Sequence, residues 1–121
     1  MPVTRRWLLP FDTLAPSTAR ARLAAVLGPG ADDAALVASE LVSNAVRHAH
    51  PPIELEVTTA PTGVRIAVTA LHLPGEPTPA ERTQADGTGG AGLRLVRACA
   101  DAWAWELVGA RLTVRADLTL R

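Results

Sequence analysis

The sequence predicts a two-layer α/β sandwich of the α+β kind, with a mixed, mostly antiparallel sheet and helices on one face. Three observations carry this. Apolar residues alternate in a pair of runs, Ile53, Leu55, Val57 and then Val64, Ile66, Val68, and a second such pair closes the chain. Helical spacing marks two segments before the first pair and one between the pairs. The order strand, two helices, two strands, loop, helix, two strands suits one sheet covered on one side. The chain is 121 residues long and 48% hydrophobic, the size of one domain over residues 1–121 with a single core.

Arg5 to Phe11 alternates and reads as a short strand that Pro10 ends or pushes to a sheet edge. From Pro16 the pattern turns helical through Ala19, Leu23, Val26 and Leu27, and Gly28-Pro29-Gly30 stops it. Asp32 and Asp33 suit a helix start, because carboxylates cap free amides and favour the positive end of the helix dipole. That second helix runs to about Ala49, before Pro51-Pro52. A turn at Pro61-Thr62-Gly63 joins the next two strands into a hairpin with one wet face. The stretch from about 71 to 91 is rich in Pro, Gly and Thr and has no period; at about twenty residues it has the length of a lid or binding loop. A third helix follows from about Gly92 to Ala100, then strands Ala102 to Val108 and Ala110 to Leu118 around Gly109. Aromatic side chains are few, so the core is expected to be aliphatic, with Trp7, Phe11, Trp103 and Trp105 as its large pieces.

Composition excludes several classes. Net charge is zero and the basic residues, all arginine, form no run, so no nucleic-acid partner is expected. No apolar stretch is long enough to cross a bilayer and the N-terminus does not read as a leader, which makes a cytoplasmic protein with no membrane partner the expectation. The lone Cys99 has no internal disulfide partner and sits in an apolar helical pattern, where a buried, inert thiol is usual. His48 and His50 lie two apart and lack the four-residue spacing of zinc helices, and Ser43, His48 and Asp101 come with no strained nucleophile turn.

At about 100° per residue, Glu40, Asn44 and Arg47 fall within an arc of about 60° on the second helix, with Leu41, Val42, Ala45 and Val46 opposite. A carboxylate and a carboxamide one turn apart serve as base and as oxygen ligand for Mg²⁺. The same spacing is equally that of a solvated helix face. Gly87, Gly89, Gly90 and Gly92, before an apolar helix, offer bare amides and a helix N-terminus, which attract phosphate; a glycine-rich hinge fits them as well.

Together, Glu40-Leu41-Val42-Ser43-Asn44-Ala45-Val46-Arg47-His48-Ala49 on a helix, two strands, a Pro/Gly loop, and Gly90-Ala91-Gly92-Leu93 opening another helix resemble the N-box and glycine box of the GHKL superfamily of ATPase domains. The likeness runs from Phe11 onward and is nearest to the stand-alone anti-sigma-factor serine/threonine kinases of actinobacteria; histidine-kinase phosphoacceptor helices are absent. The resemblance implies the Bergerat/GHKL fold, ATP and Mg²⁺ as cofactors, and a sigma factor or anti-anti-sigma factor as protein partner. It implies Glu40 as general base toward a partner's serine and Asn44 as Mg²⁺ ligand. Arg47, His48 and Leu93 would complete the nucleotide site, and Gly87, Gly89, Gly90 and Gly92 would form a lid over the phosphates. Homodimers are common in that family, so homodimerisation is expected.

Two positions depart from the family. Relatives carry an aspartate at the end of the second hairpin strand, where it accepts a hydrogen bond from the adenine amine; here the position is Ala70. Loss of that acceptor leaves a buried amine unpaired, at about 1–3 kcal/mol or roughly ten- to a hundredfold in affinity. Thr69, Glu76 and Asp86 are the candidate substitutes. Many actinobacterial relatives place arginine between the lid glycines, where this chain has Ala91. Both departures point to the alternative reading, a degenerate pseudo-kinase that binds protein partners with weak or no ATP binding.

Overall fold

The computed structural model describes residues 1–81 and 91–120, with side chains from 93 in the second segment. Its elements are β1 (Val3–Leu9), α1 (Ala15–Leu27), α2 (Asp32–His48), β2 (His50–Ala60), β3 (Gly63–Leu71), α3 (Ala91–Cys99), β4 (Ala102–Val108) and β5 (Arg111–Thr119). The five strands form one sheet in the order β1-β2-β3-β5-β4, every neighbouring pair antiparallel. No helix among the described residues is long and apolar enough to cross a membrane.

Period-two alternation decides which face each strand residue takes. Ile53, Leu55 and Val57 of β2, Val64, Ile66, Val68 and Ala70 of β3, and Leu112, Val114, Ala116 and Leu118 of β5 are all buried under the helices. The opposite face carries polar residues joined across strands: Arg6 Nε donates to Glu56 at 2.6 Å, Arg65 Nε to Asp117 at 2.7 Å, and the Thr69 and Thr113 hydroxyls share a bond of 2.8 Å. Burial of each inner Leu, Ile or Val contributes about 1.5–3 kcal/mol, whereas each exposed ion pair contributes about 0–1. The inner face therefore holds the fold. At the β2–β3 turn, a Cβ on Gly63 would sit 2.9 Å from the Leu118 carbonyl oxygen, which requires glycine there.

The 17-residue α2 crosses the inner face against β3, with α1 and α3 packed beside it. Its N-cap is Ala31 and no side chain caps it: Asp32 and Asp33 lie in the first turn and favour its dipole, as Arg47 and His48 do in the last. The Asp capping bonds expected from the sequence are absent. In α1 the equivalent task falls to Asp12, whose Oδ1 accepts from Leu14 N at 2.8 Å, and Gly28, at φ 75°, ends the helix.

Three expectations need correction. The aromatic side chains are not the centre of the core: Trp7, Trp103 and Trp105 are half-buried at its margin and Phe11 is exposed, because the first three lie on the two edge strands and Phe11 lies beyond β1. The first strand is shifted two residues toward the N-terminus and ends before Pro10. The segment after β3 is not wholly irregular. His72 N donates to Ala110 O at 2.7 Å, and residues 79–81 begin a helix through a capping box. There Thr78 N donates to Glu81 Oε1 and Glu81 N donates to Thr78 Oγ1, each at 3.3 Å.

Candidate functional site

The C-terminal half of α2 lies over the ends of β3 and β5 and leaves a narrow pocket between them, with room for about one water molecule. Leu41, Asn44, Ala45, His48 and Ala49 line it from the helix, Val68 and Ala70 from β3, and Leu112 and Val114 from β5. The walls are aliphatic, and Asn44 and His48 bring the polar side chains. Asn44 is only 7% exposed. Its carboxamide makes no hydrogen bond among the described residues. Its amide atoms are still reached by solvent through the pocket, so they are open to a ligand.

This placement revises the expected polar stripe. Asn44 shares the sheet-facing side with Leu41 and Ala45, because α2 is enclosed by the sheet, α1 and α3 and buries more than half of its circumference. Glu40, one turn earlier, faces elsewhere: it lines a separate groove between α1 and α2 with Arg20, Asp32, Leu36 and Ser39. Its carboxylate is half-exposed and has no ion pair among the described residues. Arg47 is exposed beside a third hollow that includes His48, His50 and Glu76. Asn44, His48 and Ala70 thus come together in one pocket, while Glu40 and Arg47 line two other hollows.

Ala70 is 3% exposed and occupies the last inward position of β3. Two of the candidate substitutes, Thr69 and Glu76, are engaged elsewhere. Thr69 points to the opposite face, where its hydroxyl is bonded to Thr113. Glu76 is held at the root of the following segment: His50 Nε2–H donates to both carboxylate oxygens at 3.0 Å and Leu73 N donates to Oε1 at 2.7 Å. These bonds, the His50 one first, hold the Glu76 carboxyl below its ordinary pKa. Because a one-residue slip of β3 brings only the outward Thr69 or Leu71 to this position, no shift of register supplies a carboxylate. Asp86 lies outside the described residues, as do Gly87, Gly89 and Gly90.

Gly92 is in the first turn of α3. Leu93 is 3% exposed and packs inward, a structural position outside the pocket lining. Ala91 opens the helix. Cys99 is half-buried, and burial, with a smaller push from Asp33, raises its thiol above the ordinary value, which disfavours the thiolate.

The burial of His72 is not readable from the sequence pattern around it. His72 is 7% exposed, and its Nε2 is buried without a hydrogen-bond partner among the described residues. It sits where β3 leaves the sheet, inside a stretch whose lack of period conceals burial. Ser39, also buried, is satisfied, its hydroxyl donating to Leu36 O at 2.8 Å.

A family model described as histidine kinase-like ATPase domain matches residues 6–117. The chain belongs to that family. No curated protein matches it. The match spans every element from β1 to β5, and the antiparallel sheet with helices on one face is the arrangement that the GHKL ATPase fold requires. The donor chemistry of this histidine kinase-like domain suits the cofactors its family uses. Asn44 offers the oxygen that Mg²⁺ prefers, and the aliphatic walls offer contact for a flat base. At Ala70 the pocket offers a methyl in place of an acceptor.

Proposed function

We propose that this domain binds Mg·ATP in the pocket beneath α2 and acts as a protein serine/threonine kinase of the partner-switching type, restraining a sigma factor and phosphorylating its antagonist. The observation that carries the reading is the Asn44 carboxamide, buried and without a hydrogen bond among the described residues, in the pocket of a chain from an ATPase family.

Asn44 would hold the Mg²⁺ through its side-chain oxygen, and Val68, Leu112 and Val114 would pack against the base. Bound Mg·ATP supplies the phosphoryl group. Glu40 would take the proton from the acceptor hydroxyl, as a carboxylate general base contributes about 10²- to 10⁴-fold. The position of Glu40 supports an acceptor on a protein: it opens onto a surface groove between α1 and α2 instead of into the nucleotide pocket, so a partner's serine can approach without crossing the base site. The second reading, a binding module with weak nucleotide affinity, draws on Ala70 and Ala91.

Labelled γ-phosphate transfer to co-purified partner proteins tests the kinase step. Glu40→Gln is expected to lower transfer by about 10²-fold or more at unchanged ATP affinity. Transfer that is indifferent to Glu40→Gln would remove Glu40 from catalysis.

A further inference from the structure

Charge is unevenly spread over this neutral chain. Residues 1–27 hold Arg5, Arg6, Arg20 and Arg22 against Asp12 alone, so β1 and α1 carry an excess of positive charge that the remainder balances. Asp12 is already engaged with Leu14 N, and Arg6 is paired with Glu56 on the outer face. On the inner side, register puts Val3, Arg5, Trp7 and Leu9 in one line. Trp7 is half-buried, and the Arg22 guanidinium lies over its ring, 5.8 Å from the centroid. Arg5 is exposed on the same side two residues before Trp7, and neither Arg5 nor Arg22 meets a carboxylate among the described residues.

β1 is also the end of the sheet, bonded to β2 alone. Its far edge presents unpaired backbone N–H and C=O groups, a template for another strand. A tryptophan between two uncompensated arginines joins the two residue types that most often dominate binding energy.

We propose that the free edge of β1 accepts an acidic, extended segment of a partner protein as a sixth strand, its backbone paired with β1 and its carboxylates on Arg5 and Arg22. Charge complementarity selects this occupant. A second copy of β1, paired antiparallel about the strand centre, would bring Arg6 directly against its own copy, and like charges directly opposite are destabilising. An acidic segment meets the same side chains with opposite sign. Main-chain bonds supply affinity and the alternate side chains supply specificity. The site does not involve the nucleotide pocket, so its test runs without ATP.

The experiment titrates the full chain into a fluorescent peptide of about nine residues, glutamate alternating with valine and threonine, followed by anisotropy. A lysine-for-glutamate peptide and one with proline at alternate positions serve as controls. The acidic peptide is expected to bind, the lysine and proline peptides not to, and the β1 amides to gain protection from hydrogen exchange. Arg5→Glu and Arg22→Glu are each expected to weaken binding by about tenfold or more, with Arg115→Glu on the outer face without effect. Circular dichroism checks the fold, and Arg5→Gln and Arg22→Gln replace any reversal that does not fold. No binding at about 1 mM peptide, equal binding of either control peptide, or a dimer in sedimentation that Arg5→Glu dissociates would overturn the proposal.

Discussion

The two faces of the sheet treat polar side chains in opposite ways. On the outer face polar groups are joined across strands, Arg6 with Glu56, Arg65 with Asp117, and Thr69 with Thr113, although water is available to satisfy them. On the helix-covered face the Asn44 carboxamide has no hydrogen bond among the described residues and stays within reach of solvent through the pocket. Neighbouring residues of β3 make the contrast sharpest: Thr69 is bonded outward, and Ala70 turns a methyl into the pocket. Asn44 adds nothing visible to the fold by hydrogen bonding, and its amide is open to a ligand in the pocket.

The largest effect separates the faces by stability. Ile66→Ala, on the inner face, is expected to cost about 2–5 kcal/mol. Arg65→Ala, its outward neighbour, should cost about 1 kcal/mol or less despite its ion pair with Asp117. Denaturant unfolding of both variants measures the difference. Similar costs would mean that the outer pairs carry far more of the fold than this account allows.

Next comes the pocket itself. Ala70→Asp places an acceptor where the base would sit and is expected to tighten ATP by about ten- to a hundredfold while destabilising the free protein, since a buried carboxylate is unpaired without ligand. Paired calorimetric titrations and thermal melts read both changes. Tighter ATP with no loss of stability would place the residue in a wetter setting than its 3% exposure indicates.

The smallest effect concerns the clamp between His50 and Glu76. The Glu76 carboxyl has a folded-state pKa below its unfolded one, so its contribution is present above the unfolded carboxylate range and is lost as pH falls through the lowered folded value. Glu76→Gln should therefore lower the melting temperature slightly at neutral pH, and the gap from the parent chain should close on acidification. A gap that widens in acid would contradict the clamp.

Much of the fold was legible because a sheet covered on one side imprints its alternation directly on β2, β3 and β5. Strand ends were less so. β2 begins at His50 and passes through Pro51-Pro52, a stretch that reads as a break and is accommodated by a register irregularity between His50 and Glu54. The capping box at Thr78 and Glu81 is a local signal, hidden by the lack of period around it. In the site, the Asn44 motif was readable as a spacing on one helix. That Glu40 and Asn44 face different grooves was not, because it depends on how α1, α3 and the sheet enclose α2. The capture of Glu76 by His50 joins residues 26 apart, and only the folded chain brings them together.

The central claim is that the pocket under α2 is a nucleotide site, and calorimetric titration with Mg·ATP tests it most directly. The account predicts saturable binding by the parent chain, in the micromolar range of about 1 to 100 µM, that disappears in a folded Asn44→Ala variant. No heat from the parent chain at about 1 mM ATP, or equal binding by Asn44→Ala, would contradict it.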